Sequence, residues 1–140
     1  MGRILAIDYG TKRCGLAVTD PTRTIATALE TVPTHRLFDF LNAYFSKEPV
    51  DAIVIGEPKR LTHTASESTR NSLLFADRVR KSFPDMPVQM YDERFTSKMA
   101  QQSLLQSGQS RQTRKDKAVL DRVSATILLQ DYMQSLSLKP

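Results

Sequence analysis

The chain is poor in the side chains on which several catalytic chemistries depend. Its one cysteine, Cys14, cannot form an intramolecular disulfide, and two histidines beside one cysteine are too few for a structural zinc site. His35 falls on an amphipathic segment and His63 in a polar loop, neither near Cys14 in the expected topology, so Ser/His/Asp and Cys/His catalysis are not expected. No apolar run approaches the roughly 20 residues needed to cross a bilayer, and the start MGRILAIDYG lacks the longer apolar stretch and small-residue cleavage site of a signal peptide. These absences predict a reducing compartment, most simply the cytoplasm, and no membrane partner.

What is present sets the opposite bounds. A hydrophobic content of 40% over 140 residues is enough for one core, so residues 1–140 are expected to form a single domain. Lys and Arg exceed Asp and Glu by 20 to 15, a surplus of +5 that suits a polyanionic partner.

Arg3 to Asp8 and Cys14 to Thr19 are short apolar segments joined by Tyr9-Gly10-Thr11-Lys12-Arg13, the length and composition of a hairpin. Thr24 to Val32 is rich in β-branched residues and reads as a third strand stopped by Pro33. From Thr34, an expected N-cap, Leu37, Leu41, Tyr44 and Phe45 recur at helical spacing up to Pro49. Val50 to Gly56 is almost uninterrupted apolar sequence, as in a strand covered on both faces. A second helix is expected from about Ser66 to Phe83, with Phe75, Ala76, Val79 and Phe83 on one face and Arg70, Arg78, Arg80 and Lys81 on the others. Val88 to Tyr91 gives a fifth strand, and Thr96 begins a third helix reaching about Ser107. The final helix, from about Lys117 to Leu136, is expected to bury Leu120, Val123, Ile127, Leu128 and Tyr132. The order β-β-β-α-β-α-β-α-α predicts an α/β fold with a mixed five-stranded sheet, strands 1 to 3 antiparallel and 4 and 5 parallel to strand 1, flanked by helices.

Asp8 closes the first apolar run, where an isolated carboxylate costs free energy unless something pairs with it. Four motifs give a context: Asp8-x-Gly10-x-x-Arg13-x-Gly15, Ile55-Gly56-x-Pro58, Asp92-Glu93-Arg94-x-Thr96, and Lys117-x-x-x-Asp121-x-x-Ser124-Ala125-x-Ile127-Leu128. In this order, from residue 8 to 128, they resemble the YqgF family, a group of the ribonuclease H-like superfamily described as Holliday-junction-resolvase-like and as nucleases of the 16S ribosomal RNA precursor. Each motif is weak alone; together they are specific.

The resemblance implies a ribonuclease H-like, metal-dependent nuclease whose site is formed by Asp8, Glu93 and Asp121. Charge physics supports the grouping. Two like charges about 4 Å apart repel by roughly 4 kcal/mol at an effective dielectric near 20, so converging carboxylates need a cation between them. Mg²⁺ or Mn²⁺ suits carboxylate and water ligands, and ions so held serve in-line attack of water on a phosphodiester. The alternative for Asp8 is a local one, acceptance of hydrogen bonds from the turn amides of Gly10 and Thr11. Successive strand residues face opposite ways, so only one of Asp92 and Glu93 can face Asp8; Glu93 is chosen. Asp121, Ala125 and Leu128 share one helix stripe, which puts the acid at the edge of the face meeting the sheet. Where the family more often has an apolar residue after Gly56, this chain has Glu57, either a fourth acidic ligand or an outward-pointing side chain. Gly10 and Gly15 are read as turn glycines that allow a tight hairpin and a close backbone approach.

Arg111, Arg114, Lys115 and Lys117, less Asp116, place +3 within seven residues just ahead of the helix carrying Asp121. A solvated loop is the default for such a run, but its position suits phosphate guidance. Lys12, Arg13, Lys59 and Arg60 are expected in loops at the same rim, and Arg94 either orients Glu93, contacts a phosphate, or forms an ordinary ion pair with Asp92. Few aromatics occur in these loops, which argues against stacking on single strands and for structured nucleic acid, precursor rRNA or branched DNA. A homodimer would suit symmetric cutting of two phosphodiesters, although no exposed apolar stripe marks one. Two rivals stand beside the nuclease. One is a noncatalytic RNA- or ribosome-binding module; the other is an actin-like phosphate-binding ATPase fragment, which Asp8-Tyr9-Gly10-Thr11 resembles but which needs a second domain to close on a nucleotide.

Overall fold

A computed structural model describes residues 2–10, 12–57, 67–92 and 117–137, without the side chains of 57, 67–69, 92, 117–122 and 135–137. The helix expected from Thr96 to Ser107 and the basic stretch before residue 117 lie outside the described residues. The strands are β1 (Arg3–Asp8), β2 (Arg13–Thr19), β3 (Ala26–Pro33), β4 (Val50–Glu57) and β5 (Val88–Asp92); the helices are α1 (Leu37–Lys47), α2 (Glu67–Ser82) and α3 (Lys117–Ser137). They form one sheet in the order β3-β2-β1-β4-β5. β1 pairs antiparallel with β2 and parallel with β4, β2 pairs antiparallel with β3, and β4 pairs parallel with β5. This is the mixed sheet expected from the element order.

Alternation along the central strands sorts two unequal layers. Leu5, Ile7, Leu16, Ile53 and Ile55 face α1 and α2 and meet Leu37, Leu41, Phe75 and Val79, a core of large side chains. Ile4, Ala6, Ala17 and Val54 face the other way and meet Ala125, Leu128 and Leu129 of α3. Alanines on both partners let α3 lie close to the sheet. The buried stripe of α3 differs from expectation: it runs through Ser124, Ala125, Leu128 and Leu129, with Ile127 beside it and Val123 and Tyr132 only half-buried. Leu120 falls among the side chains left undescribed. Among the described residues no helix is long and apolar enough to cross a membrane.

Thr34 does not cap α1. A single 3-10 turn, Thr34–Arg36, intervenes and carries His35, α1 starts at Leu37, and no side chain caps either start. The Thr34 hydroxyl donates instead to Gly10 O at 2.7 Å, and its amide donates to Lys12 O at 3.0 Å. A better-placed acceptor across the sheet wins over the local amides of the helix start.

At the rim where β1 begins, Gly2 N donates to Asp51 Oδ2 at 2.7 Å, and the Arg23 guanidinium meets the same oxygen at 2.8 Å. Arg23 has φ 60 in the β2–β3 turn. Asp20 organises that turn by accepting from the Thr22 hydroxyl, from the Thr24 and Ile25 amides and from the Thr24 hydroxyl. The Thr22 hydroxyl and then the Ile25 amide hold the Asp20 carboxyl well below the usual carboxylate range. The Gly2 amide, followed by Arg23, lowers Asp51 in the same sense. A depressed native pKa stabilises the fold above the ordinary carboxylate value near 4 and loses that contribution as pH falls through and below it. The melting temperature should therefore drop between about pH 5 and pH 3, and Asp20→Asn should flatten part of that fall in a pH series of thermal unfolding curves. Identical pH profiles for the two proteins would refute the role of Asp20.

Candidate metal and nucleic-acid site

Asp8 stands at the C-terminal end of the central strand, with Gly15 opposite it on β2 and Gly56 opposite it on β4. The rank extends outward to Thr31 beyond Gly15 and to Tyr91 beyond Gly56. Paired residues point to the same face, and Asp8 shares the parity of Ile4 and Ala6, so this rank belongs to the α3 side of the sheet. Asp8 is thus flanked on both neighbouring strands by residues without side chains. Of the two glycines expected to allow the hairpin, Gly15 lies within β2, opposite Asp8, and not in the turn itself. Gly10 does hold the turn, because a Cβ there would stand 2.4 Å from Arg13 O.

The β1–β2 turn is fixed from several directions. Thr34 ties Gly10 O, and the buried Cys14 thiol lies 3.7 Å from the same oxygen and 3.5 Å from Thr34 Oγ1. Cys14 is therefore nearer to the segment of His35 than the sequence reading supposed. Tyr9 stacks on Phe75 with ring centroids 4.8 Å apart. Partial burial, reinforced by Cys14, pushes the Tyr9 phenol up, while Arg78 acts in the opposite sense. Lys12 is exposed on this turn, and Arg13, half-buried, begins β2.

β5 is fastened to α3 by two phenol hydrogen bonds that sequence reading missed, although it named Tyr132 among the buried residues of that helix. Tyr91 donates to Asp131 Oδ2 at 2.7 Å, Tyr132 donates to Gln89 Oε1 at 2.6 Å, and the two rings meet edge to face at 5.8 Å. These ties place Gln89 and Tyr91 on the α3 side of β5. Tyr91→Phe should cost about 1–2 kcal/mol in chemical unfolding, as expected for losing a charge-assisted hydrogen bond that is partly buried. A change below the error of the measurement would show that solvent replaces the bond.

The C-terminal half of α3 lines, with Arg23 to Ala26, an open hollow of about 580 Å³ at the rim where β1 begins. Its N-terminal half, carrying Asp121, runs away from that rim. Asp121 lies one turn before Ala125 on the stripe that touches the sheet. Glu93, Arg94, Lys59, Arg60, Arg111, Arg114 and Lys115 lie outside the described residues. Asp121, Lys117, Asp92 and Glu57 are placed by their backbone alone, the last two paired in register at the end of β4 and β5. Among the described residues no three acidic, histidine or cysteine side chains gather.

The sheet order, with an acid at the end of its central strand, is that of the ribonuclease H-like fold. Thermus thermophilus RuvC, solved in complex with a Holliday junction substrate, matches over 100% of this chain and 99% of its own, at a TM-score of 0.58 and 18% identity. A second T. thermophilus RuvC structure matches at 0.52. This likeness shows the fold. The chain belongs to the RuvX family, whose model, described as Holliday junction resolvase, matches residues 2–135. It is 51% identical over 135 residues to a Phocaeicola vulgatus protein, covering 96% of this chain and 97% of that one, and 52% identical to a Porphyromonas gingivalis protein, covering 96% and 98%. Each of the two carries the name "Putative pre-16S rRNA nuclease". The family is the one that the four motifs resembled.

Proposed function

We propose that the chain is a divalent-metal-dependent endonuclease that hydrolyses phosphodiester bonds in structured nucleic acid, with Asp8, Glu93 and Asp121 as its metal-holding carboxylates. The observation that carries this reading is the Asp8 rank: an acid at the end of the central strand, with Gly15 and Gly56 on either side. With glycine at both paired positions, no side chain on the neighbouring strands crowds a hard ion and a phosphate beside the acid. Two further features support the set. β5 presents Gln89 and Tyr91 on the α3 side, and position 92 at its end carries the parity of Met90 on the α1/α2 side, which counts against Asp92. Asp121 sits on the sheet-facing stripe of α3, in the half that runs away from the opposite rim.

A divalent ion bound here supplies Lewis-acid stabilisation of the charge that develops on phosphate oxygens. The chain's own contribution is to hold the carboxylates on rigid elements and to clear the neighbouring positions. Lys12 and Arg13 on the β1–β2 turn, Lys59 and Arg60 after β4, Arg94 after β5, and Arg111, Arg114, Lys115 and Lys117 around the start of α3 are proposed to guide the phosphodiester backbone. The pre-16S rRNA named for the relatives and the four-way junction named for the family are the two substrates to offer. Side-by-side cleavage assays with Mg²⁺ and with Mn²⁺ test the reading. Divalent-dependent cutting of either substrate is expected. Binding without cutting of both would leave a noncatalytic RNA-binding module as the better account.

A further inference from the structure

The α1/α2 side of the same rim carries a group of cations that the proposed site does not use. Arg78 of α2 is exposed, and its guanidinium carbon lies 4.7 Å from the centre of the Phe38 ring. Phe38 meets Phe75 edge to face at 5.5 Å, and Phe75 stacks on Tyr9, the residue next to Asp8. An aromatic ladder therefore runs from the residue beside the acid to a cation held over a ring. Among the described residues Arg78 forms no ion pair, whereas Arg80, two residues on, is engaged by Asp77 Oδ1 at 3.3 Å and by Val88 O at 3.0 Å. A guanidinium stacked on an aromatic face keeps its in-plane N–H donors free for an anion.

The direction of α2 extends the group. Its C-terminal end, with Phe83 to Met86, lines a hollow with Val50 and Asp51 at the rim where β4 begins. Its N-terminal half therefore approaches the Asp8 rim, and Arg70, exposed and eight residues ahead of Arg78, lies about 12 Å farther along that axis. Leu74, 55% exposed, separates the two. Lys12 is exposed on the adjoining turn.

We propose that Arg78, seated on Phe38, and Arg70 form a second phosphate-binding border on the α1/α2 side of the rim, and that this border holds the uncut strand of a duplex whose cut strand lies at Asp8. The ligand chemistry is the phosphodiester backbone, common to RNA and DNA. The assignment rests on the nuclease reading only for which strand is cut; the border itself is tested by binding.

The test uses the full chain with Asp8→Asn to prevent turnover. Fluorescence anisotropy is followed across a salt series on an RNA duplex, a four-way DNA junction and a single strand of matched length. Arg78→Gln is expected to weaken duplex and junction binding roughly three- to tenfold at low salt and to make the log–log salt slope shallower by about one, with a similar effect for Arg70→Gln. Arg78→Lys should restore the slope. Arg80→Gln, whose charge is already engaged, should leave affinity within about twofold, and single-strand binding should be unchanged by Arg78→Gln. An unaltered slope in both Arg78→Gln and Arg70→Gln, an equal loss on the single strand, or a loss confined to one polymer would each overturn the proposal. Absence of cleavage by the unmutated protein would instead count against the nuclease reading, and the binding result would stand apart from it.

Discussion

Asp8→Asn should abolish divalent-dependent cleavage while leaving the fold intact. The substitution keeps the volume and planar shape of the side chain and removes its charge, so β1 and its neighbours Gly15 and Gly56 have no reason to move. A carboxylate ligand that helps place an ion is worth several kcal/mol of transition-state charge stabilisation, and each 1.4 kcal/mol is about tenfold in rate, so a loss of at least about a hundred- to a thousandfold is expected. In the proposed site the substitution also relieves repulsion among acids that share one ion, and in a chelator this offsets part of what is lost with the Asp8 charge. Adding Mg²⁺ or Mn²⁺ should raise the melting temperature of the unmutated protein by mass action and do so much less for Asp8→Asn. Cleavage within tenfold of the unmutated rate would remove Asp8 from the site.

Leu128→Ala should be the most destabilising of the single truncations considered, at about 2–5 kcal/mol against a total that is typically 5–15 kcal/mol for a domain. Leu128 is fully buried between α3 and the sheet. The sheet side of that contact is built from Ala6 and Ala17 with Ile4 and Val54. Alanines have no rotamers with which to fill a hole, so the void should persist and the cost should lie in the upper part of the range. Leu128→Met, which conserves volume, should cost less than about 1.5 kcal/mol. Since α3 also carries Asp121, cleavage by the alanine variant should fall at temperatures where its circular dichroism is still native. A cost below about 1 kcal/mol in urea unfolding would mean that α3 settles onto the alanines and closes the gap.

The strands were legible because their signals are local. Ile4 to Ile7 and Ile53 to Ile55 are central and covered on both faces, so their apolar runs are unbroken. Phe75, Ala76 and Val79 are buried as their helical spacing implies. What escaped detection depends on residues far apart in the chain. Thr34 has the composition of a cap, yet its hydroxyl is spent on Gly10, 24 residues away. Gly15 resembles a turn glycine because it follows a turn, and only the register opposite Asp8 shows why no side chain stands there. The bond from Tyr91 to Asp131 spans 40 positions, and the pairing of Arg78 with Phe38 likewise. For the acids, the motifs named Asp8, Glu93 and Asp121, and parity on β5 counts against Asp92, which follows Met90 on the α1/α2 side. Their joint role remains the proposal that Asp8→Asn addresses.

The anchoring of Gly2 bears on how the protein is best handled. Its amide is held by Asp51, and a Cβ at this position would stand 2.5 Å from Asp51 Oδ1 and 2.9 Å from Pro49 O. A purification handle fused ahead of Gly2 emerges at the rim of the sheet remote from Asp8, clear of the face proposed for nucleic acid. Cloning scars that replace this glycine with any larger residue would press directly on the start of β4.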